Sequence, residues 1–261
     1  MKIPVTNLFG SLLSENQTGR QIPYFLVGPE NALVEPAIRG VLAGRPTGYF
    51  PVVFYGPSGT GKSLLAKGLI QAWKYWEHPG PVIGESAREF HRQLTEALES
   101  QAVTDLLHRY YRAKLWILED VEHLSGKTAT QIQLTQLLDH LRTQHSCVVV
   151  VTCRTIPQSI TGLLPRLKSR LMGGLVVNLS LPSPETRRCF LEELVKTQQI
   201  HCSPEALEFL AFRTTGSLGE LQKVVQELSL LSPVRQGIQL HTVQKYLAQP
   251  SQDATQAMRK I

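Results

Sequence analysis

One stretch of eight residues, Gly56-Pro57-Ser58-Gly59-Thr60-Gly61-Lys62-Ser63, constrains the fold of this 261-residue chain more than any other feature. It fits GxxxxGK[ST] in full. Before it runs the apolar, β-branched segment Val52-Val53-Phe54-Tyr55, and after it Leu64, Leu65, Ala66, Leu69, Ile70 and Trp73 recur at helical spacing. Such a loop works only where a buried strand hands over to a helix. Its glycines let the backbone turn so that successive N–H groups converge on one point, and the helix N-terminus adds its positive dipole end. The stretch therefore predicts a phosphate cradle. Lys62 supplies a point charge to β- and γ-phosphates, and the Ser63 hydroxyl is a Mg²⁺ ligand.

Four further apolar runs extend the pattern: Leu115-Trp116-Ile117-Leu118, Cys147-Val148-Val149-Val150-Val151, Leu175-Val176-Val177 and the weaker Pro81-Val82-Ile83. Between them lie helical patterns, Phe90, Leu94, Ala97 and Leu98 in one and Leu134, Leu137, Leu138 and Leu141 in another. Strand–helix alternation builds a parallel sheet covered on both faces, so the fold class is α/β, a three-layer sandwich. After Leu181 the strands stop, and residues 184–249 read as three or four helices broken at Ser203-Pro204, Gly216 to Gly219 and Ser232-Pro233. The expected organisation is a tail over 1–22, an α/β nucleotide-binding core over 23–181, a helical lid over 182–249 and a tail over 250–261.

Composition narrows the class without naming it. At 42% hydrophobic and 18% charged residues the chain is globular, and no run reaches the roughly 18 apolar residues of a membrane span. The opening Met1 to Asn7 lacks the apolar stretch of a secretory leader. Cys147, Cys153, Cys189 and Cys202 form no CxxC pair and no metal-ligand spacing, so they are expected reduced, mostly buried, in a cytoplasmic protein. The net charge of +6 comes mainly from residues 1–180, with 18 Lys/Arg against 13 Asp/Glu. That excess suits nucleotide or nucleic-acid partners.

The second phosphate-site element is Glu119-Asp120, two acids at the end of the run Leu115 to Leu118. A carboxylate there holds Mg²⁺, and its neighbour orients or deprotonates the attacking water. The usual order is Asp then Glu. Here it is reversed, so Glu119 takes the metal position and Asp120 the base position, one methylene longer and one shorter.

Beyond these generic elements the residues resemble one family, the AAA+ ATPase module of the bacterial chromosomal replication initiator DnaA, over about residues 23–249. Phe25-Leu26-Val27-Gly28-Pro29-Glu30-Asn31 looks like the family's entry segment, which implies that Leu26, Val27 and Gly28 line the adenine pocket. Arg109-Tyr110-Tyr111-Arg112 is similar to its run into the acidic strand. Leu164-Pro165-Arg166-Leu167-Lys168-Ser169-Arg170 with Gly174-Leu175 resembles its arginine box, and Pro182, Glu185, Thr186 and Arg187 look like the entry to its lid. The resemblance implies that Arg170 is a finger reaching the γ-phosphate of a neighbouring subunit, with Arg166 supporting the interface, in a head-to-tail oligomer of this chain. It places Thr152, at the end of the fourth strand, among the nucleotide-binding residues.

The segment from Glu85 to Lys114 sits where the family's extra helix lines a single-stranded DNA channel. It holds five acids and five bases, so an ordinary solvated helix pair would read the same. Phe90, Leu94, Leu98, Leu106 and Leu107 read as core. Lys127, after Gly126, matches a DNA-contact position, and Arg92 is a second candidate. Ala129 stands where another arginine is expected, so any contact with single-stranded DNA is expected to be weak. Two further departures concern the phosphate site: Cys153 occupies the position of an acidic sensor, and Gly219 that of the lid arginine. Neither can replace a fixed charge.

The resemblance thus implies ATP and Mg²⁺ as ligands, slow hydrolysis, and a role in or over replication initiation through ATP-dependent self-assembly. The chain also ends about twelve residues after the lid pattern, before the family's duplex-reading helix-turn-helix would begin. Two other readings stay open: a regulatory paralogue, and a helicase-loader-type switch acting on a protein partner without DNA. Val5-Thr6-Asn7-Leu8-Phe9 faintly resembles a sliding-clamp peptide but lacks its leading Gln.

Overall fold

The structure, a computed structural model, describes residues 6–7, 25–44, 49–76, 78, 80–232 and 237–248. In chain order, β1 (Thr6–Asn7) and β2 (Leu26–Val27) precede α1 (Val34–Leu42), β3 (Val52–Tyr55) and α2 (Lys62–Tyr75). There follow β4 (Val82–Ser86), α3 (Ala87–Glu99), α4 (Val103–Arg112), β5 (Leu115–Glu119), α5 (Thr128–Gln144), β6 (Val148–Cys153), α6 (Pro165–Met172) and β7 (Leu175–Asn178). All five apolar runs become strands of one parallel sheet in the order β4-β5-β6-β3-β7.

Alternation along the strands sorts side chains into two layers. Val52, Phe54, Ile117 and Val150 pack with Ile38, Leu65, Leu69 and Trp73 from α1 and α2. Val53, Trp116, Leu118 and Val151 pack on the opposite face with Phe90, Leu94, Leu138 and Leu171 from α3, α5 and α6. The sheet is buried on both faces, which is why its strands read as unbroken apolar runs. The three layers anticipated from the sequence are present.

Some periodic positions are not core. Leu64 is 42% exposed in the first turn of α2 and Leu98 is 51% exposed in the last turn of α3. Leu106 and Leu107 of α4 are half-buried but do pack against the core on the α3 side of the sheet. Cys147 and Cys153 are buried, whereas Cys189 is exposed and Cys202 half-buried, and all four thiols are free. No helix among the described residues is long and apolar enough to cross a membrane.

The segment expected to be a tail contributes one described feature: β1 pairs antiparallel with β2, Thr6 opposite Val27 and Asn7 opposite Leu26. The Asn7 side chain also accepts from the Phe25 N–H at 3.3 Å. The other residues of 1–22, Val5, Leu8 and Phe9 of the clamp-like peptide included, lie outside the described residues, as do 249–261.

The chain divides into two compact units, residues 1–180 and 181–261. The second contains α7 (Pro184–Thr197), α8 (Pro204–Arg213), α9 (Leu218–Leu231) and α10 (Leu240–Ala248). Ser-Pro pairs open α7 and α8, with Ser183 and Ser203 capping the N–H groups of Thr186 and Ala206 while proline takes the first helical position. Ser217 and Glu220 form a capping box at α9. Buried Arg187 donates to the carbonyls of Ala211 (2.7 Å) and Pro182 (2.5 Å), so this cation braces the helical unit.

Close packing where β7 enters the sheet gives a first prediction. A Cβ on Gly174 would stand 1.8 Å from the Pro51 carbonyl oxygen and 2.7 Å from its nitrogen, both backbone atoms that cannot move alone. Gly174→Ala should therefore cost more than the ~1–3 kcal/mol of ordinary overpacking. Urea denaturation of the purified variant measures it, and an unchanged midpoint would contradict this account of the β3–β7 join.

Candidate functional site

The glycine-rich loop leaves β3 at Tyr55, opposite Cys153 of β6 and Asn178 of β7. Gly56 donates its N–H to the Cys153 carbonyl at 3.1 Å, and a Cβ there would lie 2.0 Å from the Leu179 carbonyl oxygen. Gly59 and Gly61 adopt φ of +86° and +89°, a region that favours glycine. Gly61 also lies against the Phe25 ring, where a Cβ would come within 2.8 Å. The entry segment and the loop thus touch. Leu26, Val27 and Gly28 are buried beside this contact in the chain.

Lys62 is 7% exposed and its ammonium donates to the loop's own carbonyls, Gly56 at 2.6 Å and Pro57 at 2.8 Å. Thr60 Oγ1 also donates to the Pro57 carbonyl, at 3.0 Å. Burial lowers the Lys62 pKa, against the opposing pull of Asp120 and Glu122, with the Arg154 charge pushing the same way as burial. Ser58 and Ser63 are exposed. The Ser63 hydroxyl hydrogen-bonds the Glu119 carboxylate, whose pKa is raised by burial and, less, by Asp120. Two oxygen donors therefore stand side by side at the helix start, the donor chemistry a hard divalent cation takes.

Asp120 adopts left-handed backbone angles, φ 57° and ψ 56°, and its N–H donates to Thr152 Oγ1 at 3.0 Å. Thr152 is buried, so its hydroxyl ties the end of β5 to the end of β6. Beside it Cys153 is buried too. Burial, with the Glu122 charge adding, pushes its thiol up to about 12. The loop, Glu119, Asp120, Thr152 and Cys153 are thus gathered at one end of the sheet. Glu122 and Arg154 join them, and the motifs gave no signal for either. Glu122 follows Asp120 on a one-turn 3₁₀ helix, Val121–Leu124, and Arg154 follows Cys153.

Arg166 and Arg170 lie on α6, both ion-paired to Asp139 of α5. Burial raises the Asp139 pKa, but hydrogen bonds and charge from Arg170 and Arg166 hold it below its ordinary value. α6 is positioned by Gln131, fully buried, which accepts from the Leu164 N–H at 2.6 Å and donates to the carbonyls of Leu124 and Gly162. In the entry segment Asn31 accepts from the Ser180 N–H at 2.8 Å and donates to its carbonyl at 3.1 Å, fixing the last residue of the first unit.

The candidate DNA contacts stand differently. Arg92 is exposed but paired with Glu89 (2.5 Å) and Glu96, and holds the Glu89 carboxyl at about 2. Lys127 is half-buried at the start of α5, next to exposed Ala129. On β4, buried Glu85 accepts from Tyr110 Oη (2.8 Å) and Trp116 Nε1 (3.0 Å), docking α4 on β4 and β5. In the second unit Gly219 is the second residue of α9, and a Cβ there meets only Ser217 Oγ at 3.9 Å.

Residues 18–178 match the model of the bacterial DnaA ATPase domain. The chromosomal replication initiator protein DnaA of Aliarcobacter butzleri is 27% identical over 224 residues, 85% of this chain and 50% of that protein. Among solved structures, replication initiator DnaA bound to AMPPCP and single-stranded DNA superposes with a TM-score of 0.72 at 27% identity, over 79% of this chain and 63% of that one. AMPPCP-bound DnaA from Aquifex aeolicus gives 0.71 at 26% identity, over 79% and 64%. The chain spans about half the length of the initiator protein it matches. With its parallel sheet, its loop and the matched stretch in agreement, the chain belongs to the bacterial DnaA ATPase-domain family.

Proposed function

We propose that this chain is a DnaA-type ATP-binding module, acting in or regulating the initiation of chromosomal replication through ATP-dependent self-assembly. The observation that carries the reading is the state of Lys62, an ammonium buried in a glycine loop and satisfied by two of that loop's carbonyls, beside the Ser63–Glu119 pair. In this reading Lys62 exchanges those carbonyls for phosphate oxygens, and the loop N–H groups and the start of α2 hold the rest. Ser63 and Glu119 fit Mg²⁺, which would neutralise charge between the β- and γ-phosphates. Leu26, Val27 and Gly28 face the adenine, Asp120 orients or deprotonates the attacking water, and Thr152 fixes the Asp120 backbone. Solved relatives bound to AMPPCP support nucleotide as the ligand.

Binding and hydrolysis separate in this scheme. The loop grips the ground state, whereas sensor and finger charges act where charge develops in the transition state. Cys153 and Gly219 contribute no charge, so turnover is slow and Arg170 of a neighbouring copy is a main reader of the γ-phosphate.

Single-stranded DNA is the proposed nucleic-acid partner, through Lys127 and Arg92, and a solved relative bound to single-stranded DNA supports it. Binding should be weak, because Glu89 and Glu96 already neutralise Arg92. That same neutralisation favours, as a second reading, a regulator working through a helicase or clamp. Titration of ATP-dependent assembly with and without single-stranded DNA decides between them. The expected result is assembly that needs ATP and a modest DNA affinity falling with salt at roughly 0.7 log units per phosphate contact. Nanomolar, sequence-specific binding to a duplex by this chain would contradict the DNA assignment, and assembly indifferent to DNA would favour the second reading.

A further inference from the structure

We propose that Arg154 reads the terminal phosphate of bound nucleotide from within the same chain, and that Glu122 holds it in reserve when that phosphate is missing. The inference rests on the ATP-binding reading of the Gly56–Ser63 loop. Arg154 leaves β6 directly after Cys153, the residue whose carbonyl accepts the first loop glycine's N–H at 3.1 Å. Sheet register therefore delivers this guanidinium to the edge of the cradle. Its charge acts on Lys62, as does that of Glu122 with opposite sign, so both side chains belong electrostatically to the loop.

The pair they form is a loose one. Arg154 Nε stands 3.3 Å from Glu122 Oε1, and neither carboxylate oxygen accepts a hydrogen bond, although both are shielded from solvent. A guanidinium–carboxylate fork would show two parallel contacts near 2.8 Å. The Arg154 side chain is 58% exposed against 18% for Glu122, so the arginine is the partner open to a ligand and the acid the covered one. A phosphoryl group offers Arg154 what Glu122 does not, several acceptor oxygens in fork geometry with more negative charge. Arg154 then changes partner when the third phosphate is present and returns to Glu122 when it is not. Beside an uncharged Cys153, this supplies a cation for distinguishing ATP from ADP. Glu122 is a positioning residue, acting through Arg154.

The two partners should shift nucleotide preference in opposite directions, which a merely structural ion pair would not. The experiment measures affinities of fluorescent ATP and ADP, with Mg²⁺, for dilute full-length chain carrying Arg154→Ala, Glu122→Gln or both, with Arg154→Lys as a charge-preserving control. Arg154→Ala should weaken ATP about tenfold or more and leave ADP unchanged, and Arg154→Lys should restore part of the loss. Glu122→Gln should raise the ATP preference in the parent and have no such effect on the Arg154→Ala background. An ATP:ADP ratio unmoved by Arg154→Ala, or a Glu122→Gln effect independent of Arg154, overturns the inference while leaving the ATP reading intact. A parent chain that binds neither nucleotide overturns both.

Discussion

Arg170→Ala is expected to reduce ATP turnover of concentrated protein by about 10³- to 10⁵-fold, the range an arginine finger contributes to phosphoryl transfer, and to leave turnover of dilute protein unchanged. The asymmetry follows from the geometry. Within one chain Arg170 is bound to Asp139, which also takes Arg166 at 3.2 Å, and α6 is anchored through buried Gln131. As a finger, a side chain so held would serve the nucleotide of another copy. Turnover measured across a wide protein concentration range, beside nucleotide affinity of the same variant, tests the point. Fast hydrolysis by dilute monomer, equal in Arg170→Ala, would refute the finger assignment.

Lys62→Ala should remove ATP binding by roughly two orders of magnitude, hydrogen bonds to charged groups being worth ~1.5–3 kcal/mol each. Its stability should change little. The variant leaves the Gly56 carbonyl without its ammonium donor, a cost of about 1 kcal/mol, while the Pro57 carbonyl keeps Thr60 Oγ1, and it also removes an ammonium that burial disfavours. Calorimetric titration and urea denaturation on one preparation separate the two quantities. A variant that binds ATP like the parent would show that this loop is not the phosphate site.

What could be read from the sequence was whatever depends on neighbours along the chain. The five strands were legible because a sheet covered on both faces needs continuous apolar runs, and Val52 to Tyr55 or Val148 to Val151 cannot be buried otherwise. The loop was legible because its glycines, Lys62 and Ser63 are contiguous. Burial at helix ends was not. Leu64 and Leu98 continue an apolar stripe into turns that the described elements leave largely uncovered. Nor was the β1–β2 pairing legible, since Thr6 and Asn7 carry no strand pattern and their partners lie about twenty residues on.

The same division runs through the site. Glu119 and Asp120 announced themselves at a strand end. Glu122 and Arg154 meet across 32 positions only because β5 and β6 are neighbours in the sheet, and Asp139 receives two arginines from another helix. The resemblance places Thr152 at the nucleotide; its hydroxyl also accepts from the Asp120 N–H, a role that depends on register and leaves no mark in composition.

Cys153 carries a consequence of another kind. A buried thiol pushed up to about 12 is inert to alkylating reagents while the fold stays closed, because the thiolate is the reactive form. Exposed Cys189 is the residue to react first and can be blocked beforehand. Modification of Cys153 can then proceed only as fast as the surrounding strands and loop open, which makes this side chain a chemical clock for local unfolding at the phosphate end of the sheet. Occupancy of the cradle would slow that clock by stabilising the closed form, and an acidic sensor at the same position would have left no such record.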